Sequence, residues 1–287
     1  MTARAARPRR VRFRVADGLV LVGDARGAPT GPPVLLLHGG GQTRHAWGGT
    51  AATLAAAGWY TVALALRGHG ESGRPADGDY RLDALVADLR AVVATCSRPP
   101  ALVGASLGGM TALVGEGEAA GQFSAAVVLV DITPRVQPEG VERIVAFMTS
   151  HPDGFASLDE AADAIGAYAV HRPRPKDLAG LGKNLRLGPD GRYRWHWDPR
   201  MMSGERRINA RSDPERLERA ARALRVPTLL VRGRMSDLVS EEDARAFLRL
   251  VPHARFADVS GAGHMVAGDR NDRFTEAVLE FLGSTVS

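Results

Sequence analysis

The chain has 287 residues, of which 45% are hydrophobic and 24% charged, with 33 glycines; this balance supports one packed core and excludes a disordered or fibrous protein. A single cysteine, Cys96, and the lack of any Cys/His cluster with metal-site spacing exclude a disulfide framework and a structural metal, and no apolar run approaches the ~20 residues of a membrane span. The net charge of +5 is regional, since residues 1–14 carry six arginines without an acid and residues 172–234 sum to +10; lacking interleaved aromatics or a binding motif, this charge reads as solvated arginine and excludes a nucleic-acid partner.

In chain order, β-branched apolar runs predict strands over 11–15 and 19–24, an antiparallel hairpin around Asp17-Gly18, followed by a strand over 34–37. Helix 47–57, strand 60–66, helix 82–95, strand 101–104, helix 107–118 and strand 125–130 come next. From Ile132 to about Asn209 the alternation stops. Helical segments follow one another there, one of them opened by a capping box at Ser157-Leu158-Asp159-Glu160 and running to Tyr168. The stretch also holds Pro173, Pro175, a turn at Pro189-Asp190-Gly191 and the aromatic run Tyr193-Arg194-Trp195-His196-Trp197. It is too long for a plain connection and is expected to fold as a cap. The alternation resumes with helix 214–224, capped by Ser212-Asp213-Pro214, strand 228–232, helix 241–250, strand 255–259 and helix 269–282. Strands alternating with helices predict an α/β fold, a mostly parallel sheet flanked by helices. Residues 1–131 and 210–287 form its core, and 132–209 the cap.

The most informative residues are Gly104-Ala105-Ser106-Leu107-Gly108-Gly109, between a predicted strand and a predicted helix. A serine at such a turn sits in a strained conformation with its hydroxyl raised above the sheet edge, and the small neighbours let adjoining elements approach. The helix N-terminus behind it stabilises arriving negative charge. Serine becomes nucleophilic only when a base takes its proton and a third group orients that base. His264, in Gly261-Ala262-Gly263-His264, follows the last strand and is the candidate base. Asp237, in the loop after strand 228–232, is the candidate acid. For the oxyanion, the glycines of Leu37-His38-Gly39-Gly40-Gly41 free backbone donors, so one donor is assigned to the amide of Gly40 and the other to that of Leu107.

Taken in order, His38-Gly39, Arg67-Gly68-His69-Gly70-Glu71-Ser72, Gly104-Ala105-Ser106-Leu107-Gly108 and the Asp237/His264 pair resemble the α/β-hydrolase superfamily. The resemblance spans roughly residues 11–130 and 210–285. It implies an eight-stranded sheet with the second strand antiparallel and a cap after the sixth strand. It also implies a serine-dependent enzyme acting on a small-molecule ester or lactone, without metal or organic cofactor; the arginine-rich start without an apolar stretch makes the cytoplasm the expected compartment. Cofactor-free haloperoxidases or perhydrolases and carbon–carbon bond hydrolases share the pattern, and a non-catalytic binding protein on the same fold is a further alternative. One departure is Ala65, where many relatives carry an aspartate two residues before the arginine of the fourth-strand turn.

Several residues compete for roles. Asp131 ends the sixth strand, from which some members of the superfamily supply the triad acid, but the 27-residue spacing to His264 favours Asp237. Asp258 reads as structural, His69 as a partner that fixes its loop, and His38 as a support for the oxyanion loop more than a proton carrier. Cys96 reads as an inert small hydrophobe. Phe147, Tyr168, Trp195 and Trp197 are the candidate substrate contacts in the cap, with one of the two tryptophans facing the pocket and the other turned away. Arg44, His45 and Trp47 are candidates for the entrance.

Overall fold

A computed structural model of the chain describes residues 7–168, 174, 178–208, 213–264 and 271–286. All eight predicted strands are present and join in one sheet. Strands β1 (Arg9–Arg14) and β2 (Val20–Arg26) pair antiparallel through the turn at Gly18, whose φ of 79° suits a residue without a Cβ. The sheet continues with β3 (Pro33–Leu37), β4 (Tyr60–Ala65), β5 (Ala101–Ala105) and β6 (Ala126–Val130). After two short cap strands, β7 (Leu185–Leu187) and β8 (Tyr193–Trp195), it ends with β9 (Thr228–Gly233) and β10 (Arg255–Val259). Across the sheet the order is β1-β2-β4-β3-β5-β6-β9-β10, with β2 antiparallel to both neighbours and every pair from β4 to β10 parallel.

Helices α1 (Gly48–Ala56), α2 (Leu82–Val93) and α3 (Leu107–Gly117) connect the first half. Strand β6 shows how both faces are used. Val128 and Val130 pack with Trp47 and Leu54 of the first helical layer and Phe274 of the last helix, whereas Val127 and Leu129 pack with Leu113, Leu217 and Phe247 on the opposite side. Every β6 residue is therefore buried, which is why the strand reads as a continuous apolar run instead of an alternation.

The elements between β6 and α8 are α4 (Pro138–Thr149), α5 (Leu158–Tyr168), two single-turn helices α6 (Leu178–Leu181) and α7 (Arg200–Ser203), and the β7–β8 hairpin. The hairpin adds paired strands to the expected helical cap. Its turn is the predicted Pro189-Asp190-Gly191, with Gly191 at φ 77°. At the start of α5 the Ser157 hydroxyl accepts from the Glu160 amide, but the Glu160 carboxylate reaches Ala156 N, one residue beyond the position of a capping box. Helix α8 (Pro214–Ala223) opens with Asp213 accepting from Arg216 N. Ser212 of that predicted cap, together with Arg172, Pro173, Pro175 and Asn209, lies outside the described residues. Helices α9 (Glu241–Leu250) and α10 (Asn271–Thr285) complete the order.

One edge of the cap is tied to the turn after β4. Gly70 N donates to His196 Nδ1, Asp198 N to Gly68 O, and the buried Tyr80 hydroxyl to Asp198 Oδ2 at 2.7 Å. Arg74 reaches His196 O, and Arg200 reaches Asp198 and Pro75 O. Among the described residues no helix is long and apolar enough to cross a membrane.

Candidate active site

Ser106 sits between β5 and α3 with φ 47° and ψ −113°, a conformation that side chains rarely adopt. The small residues around it make the turn possible. A Cβ on Gly104 would stand 2.4 Å from Gly108 O, and one on Gly108 would stand 2.4 Å from Leu37 O. Alanine at either position would force strand and helix apart.

The oxyanion loop lies against this serine, for a Cβ on Gly39 would meet Ser106 Cβ at 3.4 Å. Within the loop, Gly39 N donates to Gln42 Oε1 and Gly41 N to His69 Nε2. The intervening amide of Gly40 and that of Leu107, at the first position of α3, have no such partner among the described residues. Both residues line the same cavity as Ser106 and His264. The two amides singled out in the sequence are thus uncommitted donors beside the serine.

The carboxylate that meets His264 is not the expected one. His264 Nδ1 lies 2.7 Å from Asp131 Oδ2, and Asp131 is fully buried. Its other oxygen accepts from Gly233 N at 3.0 Å, and Ser236 Oγ also bonds Oδ2. Asp237 instead points outward to Arg143 of α4 at 2.8 Å, with 38% of its side chain exposed, and does not line the cavity. The reason is topological. The loop after β10 folds back over the end of β9, placing Met235 N on Ala262 O and Gly263 O where a Gly233 Cβ would be, 2.2 Å away. That path carries the imidazole past β9 to the end of β6. Asp131 itself takes φ 50°, a rare backbone state for a non-glycine residue that turns its carboxylate toward the loop.

Three buried histidines lie behind the glycine loop of 39–41, and two of them, His38 and His69, bond to it. His38 Nδ1 meets Gly39 O while its Nε2 accepts from Leu66 N; His69 Nδ1 meets Arg67 O, and His196 packs 5.9 Å from the His69 ring. Burial pushes all three well below the ordinary histidine value, to about 4 for His69 and about 3 for His196, so all are neutral and each accepts an amide hydrogen. The structural roles foreseen for His38 and His69 match these bonds. His196 is a supporting residue that the sequence reading missed, and its Nε2 is buried without a partner.

A stability prediction follows from the sign of these shifts. Below about pH 6.5 the unfolded chain takes up protons that the native imidazoles refuse until about pH 4 or lower, so stability falls as pH drops through that window. Urea unfolding across pH 7.5 to 4 should show this loss. His196→Asn, which keeps an acceptor for Gly70 N, should shallow the slope by about one proton; an unchanged slope would refute the assignment.

The cavity above Ser106 measures about 890 Å³. All four cap candidates, Phe147, Tyr168, Trp195 and Trp197, line it. They form a ladder in which Phe147 stacks on Tyr168 at 4.2 Å and Trp195 on Trp197 at 4.8 Å, with Phe147 and Trp195 5.5 Å apart. Both tryptophans therefore face the cavity, against the expected split, since side chains two positions apart along an extended segment fall on the same side. Burial and the nearby Asp237 charge push the Tyr168 phenol up to about 12, which keeps it neutral. Of the entrance candidates, His45 lines the cavity; Arg44 instead pairs with Asp24 and Glu71, and Trp47 is buried against Phe274. Asp258 pairs with Arg232 and Arg234, and burial raises the Cys96 thiol, as their structural readings require. Among the described residues no group of three or more metal-ligating side chains is gathered.

An antiparallel second strand, a strand–serine–helix turn after β5 and a capped cavity above it define a hydrolase architecture. The chain belongs to the α/β-hydrolase-fold family, whose model matches residues 32–270. It is similar to the esterase Rv0045c of Mycobacterium tuberculosis, 31% identical over 86% of this chain and 81% of that protein. A solved structure of that esterase gives a TM-score of 0.75 over 97% of this chain and 93% of its own, at 27% identity. It is also similar to the 2-(acetamidomethylene)succinate hydrolase of Mesorhizobium japonicum, 30% identical over 77% of this chain and 78% of that protein. A crystal structure of an E-2-(acetamidomethylene)succinate hydrolase shares the fold, with a TM-score of 0.84 and 24% identity over 96% of this chain and 100% of the other.

Proposed function

We propose that the protein is a serine hydrolase that cleaves a carboxylic ester or lactone through an acyl-enzyme, with Ser106, His264 and Asp131 as its triad. The observation that carries this reading is the 2.7 Å contact of His264 Nδ1 with the buried Asp131, on a loop that shares its cavity with Ser106. The esterase relative supports it.

In the first half-reaction Ser106 Oγ attacks the carbonyl carbon as His264 Nε2 takes its proton. Asp131 holds the ring with Nδ1 protonated and stabilises the imidazolium. The amides of Gly40 and Leu107 bind the oxyanion, each donor contributing on the order of 3 kcal/mol in sites of this kind. Collapse breaks the bond to the alcohol oxygen, which leaves with the proton from His264. Water then attacks the acyl-enzyme, His264 accepts its proton, and the acid is released with Ser106 restored.

The cavity favours a bulky, mostly apolar substrate. The aromatic ladder forms one wall, and Met110, Ile132, Val141, Leu217 and Leu238 form a second, with Ile144 packing against both groups. A buried methylene contributes about 0.8 kcal/mol, or roughly fourfold in kcat/KM when burial is complete. Active-site titration with a fluorophosphonate should label one equivalent of protein at Ser106. A p-nitrophenyl acyl series should then rise in kcat/KM from acetate toward octanoate. Absence of labelling would overturn the serine mechanism, and a maximum at acetate would overturn the substrate reading alone.

A further inference from the structure

We propose that Ser236 is a positioning residue of the triad, holding the Asp131 carboxylate by a hydroxyl whose single proton has no other acceptor. This inference rests on the triad reading above and extends it to a fourth side chain.

The argument starts from the hydroxyl's own bonds. Ser236 follows β9 in the tight turn in which its N–H donates to Gly233 O at 2.9 Å. Its Oγ accepts from two backbone amides, Leu238 N at 3.1 Å and Val239 N at 3.2 Å. A hydroxyl offers two lone pairs and one proton. With both lone pairs occupied by amides, the O–H is left to donate, and it lies on Asp131 Oδ2. That is the same oxygen that receives His264 Nδ1.

The consequence concerns the carboxylate. Asp131 is fully buried, where a charged group persists only if its lone pairs are met. Gly233 N holds Oδ1, and Ser236 and His264 share Oδ2. The loop after β9 therefore grips the acid at two points, one main-chain and one side-chain, while the imidazole approaches from the loop after β10. Without Ser236 the carboxylate keeps one bond on each oxygen, Gly233 N on Oδ1 and His264 on Oδ2, and loses the side-chain donor that helps fix its angle. It would also carry less dispersed charge, and so hold a protonated His264 more tightly.

These two effects are separable in a pH profile. Ser236→Ala should lower kcat about 10- to 100-fold, the range for losing a hydrogen bond to a charged group. It should also move the acid limb of kcat/KM to higher pH by about half a unit or more, because the imidazolium is then favoured. Ser236→Thr should restore both. Ser236→Cys, which keeps the side-chain volume with a weak donor, should fall between wild type and alanine, and it provides the same reading if the alanine variant fails to fold. A lowered kcat with an unmoved limb, or a limb moved to lower pH, would overturn the proposal, as would wild-type kinetics in Ser236→Ala. A wild-type protein that fluorophosphonate does not label would instead overturn the acyl-enzyme reading itself, so the two failures are distinct.

Discussion

Asp131→Asn is expected to lower kcat by about 10⁴-fold, while Asp237→Asn leaves it within about twofold. The first effect follows from the bonds each oxygen makes. Gly233 N requires an acceptor at Oδ1, so the asparagine oxygen settles there and its NH2 faces His264 and Ser236. An NH2 opposite Nδ1 meets donor with donor. The imidazole escapes that clash only by shifting its hydrogen to Nε2, the nitrogen that must be free to accept the serine proton. Asp237 has no such position. Its partner Arg143 is half exposed, and pairs of that kind contribute less than about 1 kcal/mol. Steady-state kinetics of both variants decide the matter, and a more damaging Asp237→Asn would return the acid to the loop after β9.

Ser106→Ala is expected to lower kcat by about 10⁶-fold on a p-nitrophenyl ester, removing the atom that bonds to the acyl carbon. Residual turnover would come from the oxyanion donors and from binding. Alanine retains a Cβ and hence the strain at φ 47°, so the unfolding free energy should stay within about 1 kcal/mol of wild type. Retention of more than a few per cent of activity in a folded variant would reject Ser106 as the nucleophile. The pairing of lost activity with kept stability separates chemistry from folding.

The eight strands and the strand–serine–helix turn were legible because their signals are local. Apolar runs such as residues 126–130 declare a buried strand within five positions, and Gly104-Ala105-Ser106-Leu107-Gly108 carries its steric requirements in its own glycines. The carboxylate that meets His264 was not legible in the same way. Asp131 and Asp237 both lie close beyond a strand's end, and the choice between them depends on how the loop after β10 crosses β9, a path fixed by Gly233 packing under Gly263. The nearest clue was that Asp131 adjoins the strand beside β5, within one strand spacing of the nucleophile turn. The β7–β8 hairpin escaped notice because three-residue strands are shorter than any periodicity can register. His196 escaped because its value lies in accepting one amide from a turn 126 positions earlier.

The ties between residues 196–200 and the turn after β4 bear on how a substrate gets in. Those bonds end on the backbone of Gly68, Gly70 and Pro75, on the Arg74 guanidinium and on a tyrosine hidden from water, and parting them would strand several polar groups at about 1–3 kcal/mol each. That margin behaves as a doorpost. Trp197, braced on it, packs over Gly41 at the wall of the cavity that holds the serine.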